Sequence, residues 1–242
     1  MKVKNQNKFS AEHHALLFAW MARDITLIVG EELASPVLHN AVRRYGEQRG
    51  LRMALRAQSN KHDLSMLSWL AYPEWKAGKD ETVMNIVQKR PAVRIRIPQC
   101  PWYTTWKNEG LMEYGKYYCE EIDTSVIRGF NPELHIDVKE IKPHGAEECD
   151  MVFHGADLSP GNMITFLLRK FIATRNHSVM PWEYHIGHVY KTIGEELINA
   201  FGDQGRKACE TAIENFAQRF GDPAATSIRN TWNTDFNVLP AR

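Results

Sequence analysis

Three of the four cysteines fall in one stretch, Pro98 to His154, together with the carboxylate of Asp123 and the amide of Asn131. Cys100 has the best local reason to be reactive. It follows a strand pattern and stands at the mouth of a helix expected from about Trp102 to Cys119. Free N–H groups and the positive end of a helix dipole favour a thiolate there. Cys119 is expected at the far end of that helix, where the dipole opposes ionisation, with Asp123 four residues on. Cys149, on a strand beside Asp150, and Cys209, in the last long helix, suit packing, since an unactivated thiol is a small buried hydrophobe. That plainer reading competes for Cys100 and Cys119 as well. There is no Cys-x-x-Cys, so a structural zinc site is not expected.

The histidines offer a second chemistry. His14, and later His185 and His188, fall in first turns of expected helices. His185 and His188 are three apart, share a face, and with a carboxylate would grip one metal. Surface or capping roles are the alternative. His135 and His154 lie on two strands of an expected hairpin, where register decides whether they meet.

Arg49 and Arg52 lie in a basic helix that also contains Gly46 and Gly50. Each helical glycine costs about 1 kcal/mol relative to alanine. Their presence points to close backbone approach or a kink, against the alternative of a solvated basic face. The two arginines would then present a fork to a substrate carboxylate. Trp69, Tyr72 and Trp75 would wall that pocket or simply cover the core.

These residues need elements to position them. Apolar periodicity predicts helices from Ser10 to Val29, ended by Gly30, and from Ser35-Pro36 to Ala57. Residues 60–78 read as a short helix or irregular aromatic segment. Thr82–Lys89 and Ala92–Pro98 alternate as strands. After the helix ending near Cys119, a short helix or turn spans Asp123 to Arg128, and Gly129-Phe130-Asn131-Pro132 reads as a loop. A strand around Leu134–Val138 pairs with Cys149–His154 as a hairpin. Helices follow at Ile164–Thr174, Trp182–Ala200 and Gln204–Phe220, the last closed by Gly221-Asp222-Pro223, and the tail docks through Trp232 and Phe236. The fold expected is α+β: a central antiparallel sheet with a core helix, flanked by N- and C-terminal helix pairs. Its segments are 1–80, 81–158 and 159–242, in one compact unit. The two flanking pairs resemble each other, either as generic helix pairs or as a repeat that makes His14 and His185 equivalent.

Composition narrows the function. The chain has 242 residues, 43% hydrophobic and 24% charged, with a formal net charge of +1. A near-neutral chain is not expected to bind nucleic acid. Its apolar runs are too short to span a bilayer. No signal peptide is read, and unpaired cysteines suit the cytoplasm. No Gly-x-Gly-x-x-Gly, Walker loop, Gly-x-Ser-x-Gly or His-Glu-x-x-His occurs, so no cofactor is expected unless a divalent metal binds the helix histidines. The partner expected is a small-molecule substrate, and the aromatic content and helical flanks permit a homodimer.

Cys100-Pro101, a helix with Gly115 and Tyr118-Cys119, then Asp123, Asn131-Pro132, a strand, Gly145 and Cys149-Asp150 resemble the L-2-amino-thiazoline-4-carboxylic acid hydrolase family. Tyr45–Ala54 resembles a motif of one branch of that family. The resemblance covers roughly residues 10–155. It implies hydrolytic opening of a small carboxylate-bearing heterocycle, by attack at an amidine-like carbon that yields an N-carbamoyl amino acid. In that chemistry a thiolate of Cys100 or Cys119, or an activated water, attacks an sp² carbon between heteroatoms. Asp123 or a histidine such as His154 moves protons. Asn131 donates to the developing negative charge. Two alternatives stand beside it: a non-catalytic small-molecule sensor of the 4-vinyl reductase type, and a metal-dependent enzyme using His14, His185 and His188.

Overall fold

The stripe Leu16, Leu17, Trp20, Met21 and Ile25 buries all five residues in the first helix. The computed structural model describes residues 9–76, 78 and 81–240, and places this helix, α1, at Ala11–Val29. Gly30 ends it with φ of 87°, a left-handed backbone where a β-carbon is costly. The chain turns there directly into α2 (Glu31–Ser59), four residues earlier than the sequence suggests. Pro36 therefore lies inside α2 instead of opening it, and its missing N–H removes one helical bond. α3 (Met66–Ala71) is the short helix of the aromatic stretch.

β1 (Val83–Gln88) and β2 (Val93–Gln99) follow as expected. The single helix expected from Trp102 to Cys119 is two. Gly110, at φ 67°, ends α4 (Pro101–Asn108), and α5 (Met112–Phe130) begins after it. α5 runs on through Asp123, Gly129 and Phe130, so Cys119 is mid-helix and the expected loop begins only at Asn131. β3 (Ile136–Glu140) and β4 (Cys149–Phe153) form the hairpin. The chain then continues through α6 (Pro160–Arg175), α7 (Trp182–Phe201), α8 (Asp203–Phe220) and α9 (Asp222–Asn230). Gly221-Asp222-Pro223 thus starts a helix as well as ending one.

The sheet is antiparallel throughout, in the order β1-β2-β4-β3. Val93, Ile95, Met151, Phe153 and Ile136 are buried with Met66, Leu67 and Ile127 in one apolar cluster. The alternate positions carry Arg94, Asp150 and Asp137 on the outer face, where Arg94 pairs with Asp150. A larger cluster fills the space among α1, α2, α4, α5, α7 and α8. The architecture is the α+β arrangement that the sequence leads one to expect. His14 and His185 are each the fourth residue of their helix, and both are buried. Among the described residues, no helix is long and apolar enough to cross a membrane.

Candidate active site

α2 and α5 cross with their backbones almost in contact. A β-carbon on Gly50 would sit 2.1 Å from the Val126 carbonyl oxygen, and one on Gly129 would sit 2.1 Å from that of Glu47. A β-carbon on Gly46 would meet that of Ser125 at 2.6 Å. Helices normally pack with axes 8–10 Å apart because side chains intervene. Here glycine removes them, which explains the otherwise unfavourable glycines of α2. The crossing sets Arg49, beside Gly50, close enough to Asp123, one turn before Val126, for the two to interact electrostatically.

Arg49 is 4% exposed and stacks over Trp75, with its guanidinium carbon 3.3 Å from the ring centre. It makes no hydrogen bond with any described residue, and its buried Nε has no partner. The nearest carboxylate is Glu74, whose Oε2 lies 3.7 Å from that Nε, beyond hydrogen-bonding range. Asp123 is raised to about 6, because burial disfavours its charge by more than Arg49 favours it.

Arg52, three residues on, is in a different state. Its Nε and Nη2 each donate at 2.7 Å to the two oxygens of Glu74, Nη1 donates at 2.5 Å to the Phe236 carbonyl, and Nη2 also donates to His188 Nδ1. Arg56 adds a third 2.7 Å bond to Glu74. Glu74 is buried, and although burial opposes its charge, Arg52 leads the neighbours that hold its carboxyl down to about 2. The Glu74 carbonyl accepts from Met180 N–H and from His185 Nε2–H. The fork foreseen for a substrate is therefore divided. Arg52 anchors a loop internally, and Arg49 keeps its donors.

The three helix histidines are buried and neutral. Burial lowers His185 to about 3 and holds His14 and His188 well below their usual range. Trp102 donates its indole N–H to His14 Nδ1 at 3.1 Å, so Nε2 carries the proton toward the Tyr45 hydroxyl at 2.9 Å. Arg52 donates to His188 Nδ1, so its Nε2–H points to Gln48 Oε1 at 2.8 Å. Both rings have spent the lone pairs a metal would need. Of these three histidines, His185 alone keeps a buried acceptor, Nδ1, without a hydrogen-bond partner among the described residues.

Trp75, Trp102 and Trp182 stack around this point, with Tyr118 facing Trp102 at 6.4 Å. The Tyr118 hydroxyl faces that of Tyr45 but has no hydrogen bond of normal geometry. The thiols lie beyond Asp123. Cys100, Cys119 and Cys149 interact electrostatically with it and with one another, and burial raises all three, Cys149 to about 11. Backbone N–H groups of Trp102 and Tyr103 do favour the Cys100 thiolate, as a helix start should, but desolvation outweighs them.

Other expected residues lie elsewhere. Asn131 donates to the Leu64 carbonyl at 3.0 Å and accepts from Glu133 N–H, tying down the end of α5. Trp69 stacks on Phe153 in the sheet core, and the Tyr72 hydroxyl bonds His62. His154 is exposed beside Asp137. A surface cleft of about 490 Å³ opens past Cys119, among Glu120, Val138 and His144, and does not include Arg49 or Asp123. Buried, unsatisfied polar groups mark a site more strongly than a shallow polar cleft. Glu74, Trp102 and Trp182 were not foreseen. Glu74 is the lone acid in the aromatic run from Leu64 to Lys76, which is the signal that could have found it.

No curated protein and no solved structure matches the chain. The family model described as L-2-amino-thiazoline-4-carboxylic acid hydrolase matches residues 6–153, the part that carries Arg49, Glu74, Trp75, Cys100 and Asp123. That span exceeds half of the chain, and the protein belongs to the L-2-amino-thiazoline-4-carboxylic acid hydrolase family.

Proposed function

We propose that the chain hydrolyses a small, carboxylate-bearing heterocycle of the cyclic amidine, thiazoline or imide type at the buried cluster of Arg49, Asp123 and the tryptophans among α2, α5 and α7. The observation that carries this reading is Arg49: a buried guanidinium with an unpaired Nε and no hydrogen-bond partner among the described residues. A buried arginine left without an acceptor is strongly unfavourable, and a ligand carboxylate supplies two acceptors in the right plane. Trp75, Trp102 and Trp182 give a flat ring its apolar walls. His185 Nδ1 is a neutral acceptor suited to an amino or ring N–H of the same ligand.

Asp123, at about 6, is largely ionised at neutral pH yet basic enough to take a proton from water. The hydroxide equivalent adds to the sp² carbon between heteroatoms. Asp123 then returns the proton to the departing nitrogen or sulfur as the ring bond breaks. The thiols are held protonated by burial, which favours water over a cysteine nucleophile. Glu74 pins the backbone beside it, so substrate entry requires the Trp75 side chain to turn away from Arg49.

The test is ring opening of a panel of cyclic amidine and imide carboxylates. Asp123→Asn should lower kcat by 10²–10⁴-fold. Arg49→Gln should mainly raise KM, and more for carboxylates than for their amides. Cys100→Ala and Cys119→Ala should keep activity. Loss of activity in either cysteine variant with retained folding would assign the nucleophile to a thiol. Tight binding of the heterocycle without turnover would make the chain a binding module instead.

A further inference from the structure

We propose that His135, Asp137 and His154 form a divalent transition-metal site on the outer face of the sheet, independent of the Arg49 cluster. The β3–β4 register pairs Ile136 with Phe153 and Asp137 with Val152, which sets His135 directly opposite His154. The His154 N–H donates to the His135 carbonyl at 3.1 Å, so the pairing continues to that point. Side chains alternate along a strand, so Asp137 shares the face of His135. Ile136 and Phe153 take the other face, into the core.

The geometry is close to that of a ligand set. His135 Nε2 lies 3.0 Å from Asp137 Oδ1, and His154 Nε2 lies 3.0 Å from Oδ2. The rings are 5.1 Å apart. One ligand atom from each of the three residues lies within 4.8 Å of the others. A tetrahedral ion with bonds of about 2.0–2.2 Å holds its ligands roughly 3.3–3.5 Å apart. The two imidazoles now meet different Asp137 oxygens, so to admit the ion the longer ligand pair, within 4.8 Å, closes toward that spacing while the 3.0 Å contacts open slightly. These contacts sit at the end of the edge strand, where such a shift disturbs no core packing.

Two imidazoles and one carboxylate suit zinc, nickel, cobalt or copper better than magnesium or calcium, which take oxygen ligands. Three protein ligands leave a position for water. Lys139 Nζ, 3.5 Å from Asp137 Oδ2, is the competing cation. It is half-exposed on a flexible stem and can withdraw when an ion enters. Occupation would staple the sheet's edge strand to β4.

The experiment is calorimetric titration of the metal-free, untagged chain with Zn²⁺, with His135→Ala, Asp137→Asn and His154→Ala alongside. All three positions lie outside the core, so circular dichroism should show native folding. The expected result is one zinc per wild-type chain, binding more than tenfold weaker in each variant, and no heat with Mg²⁺. Zinc should raise the melting temperature of wild type and not of His154→Ala. Absence of one-equivalent binding by wild type overturns the proposal. So does undiminished binding by the His135→Ala, His154→Ala double variant, which would send the zinc to the cysteines.

Discussion

Replacing Glu74 by glutamine should unfold the site before it alters any chemistry. The carboxylate is surrounded by Arg52, Arg56 and Arg49, with three bonds of 2.7 Å and one ion pair at 3.7 Å. Glutamine keeps the shape and removes the charge, leaving Arg52 and Arg56 without a counter-ion and Arg49 with Asp123 alone. Breaking one partner of a buried pair typically destabilises by about 3–5 kcal/mol. Linkage gives a similar figure. The folded carboxyl lies near 2 against an ordinary 4.5, and at 1.36 kcal/mol for each unit that is about 3 kcal/mol. The folded value is depressed, so this stability is present above pH 4.5 and lost as pH falls toward 2. For a chain of this length each kcal/mol moves the midpoint by about 2–4 °C. Thermal melts at pH 7 should therefore place Glu74→Gln roughly 6–20 °C below wild type, with the gap closing as pH is lowered from 4.5. A variant melting within about 2 °C of wild type at pH 7 would refute the claim that Glu74 neutralises this cluster.

Asp123 should behave in the opposite way. Its folded value is raised from 3.8 to about 6, so the folded state loses stability as pH rises through that window. Asp123→Asn should consequently be more stable than wild type at pH 7, by up to about 3 kcal/mol since the carboxylate keeps some solvent contact, while its activity falls. Chemical denaturation at pH 4 and pH 7 reads this directly; equal shifts at both would contradict it. In wild type, kcat/KM should rise with pH through about 6, and a flat profile from pH 5 to 8 would remove Asp123 as the base. Gly50→Ala should destabilise by about 3 kcal/mol or more, because its β-carbon meets backbone, which cannot rotate away. Wild-type stability in that variant would show that α2 and α5 do not touch as described.

Much of this was legible from residue pattern. Gly46 and Gly50 point to a close approach or a kink, and the structure shows the close approach. The alternation of Val93, Ile95 and Ile97 and that of Leu134, Ile136 and Val138 fixed strands and a hairpin. Gly30 marked a helix end, but a left-handed glycine can join two helices without a gap, so the start of α2 was read too late. Gly110 is hidden in the sequence because apolar residues continue on both sides of it. Gly129-Phe130-Asn131-Pro132 looked like a loop because the sequence does not reveal that Gly129 faces the Glu47 backbone. The site was legible in part. Arg49 stood out by its neighbours, whereas its separation in role from Arg52 depends on Glu74, a residue 22 positions beyond Arg52 that only tertiary packing brings back. Cys100 illustrates a local rule that operates and loses, since the helix-start effect is present and burial exceeds it.

The glycine-to-backbone contact between α2 and α5 has an evolutionary corollary. Because Gly50 and Gly129 meet backbone and none of the three tryptophans takes part, the spacing of Arg49 from Asp123 does not depend on which aromatic residues surround them. Trp75, Trp102 or Trp182 can then be exchanged while the cation and the acid stay at a constant separation. Variation should then accumulate at the aromatic positions, and replacement of Gly50 or Gly129 should mark members in which α2 and α5 have moved apart.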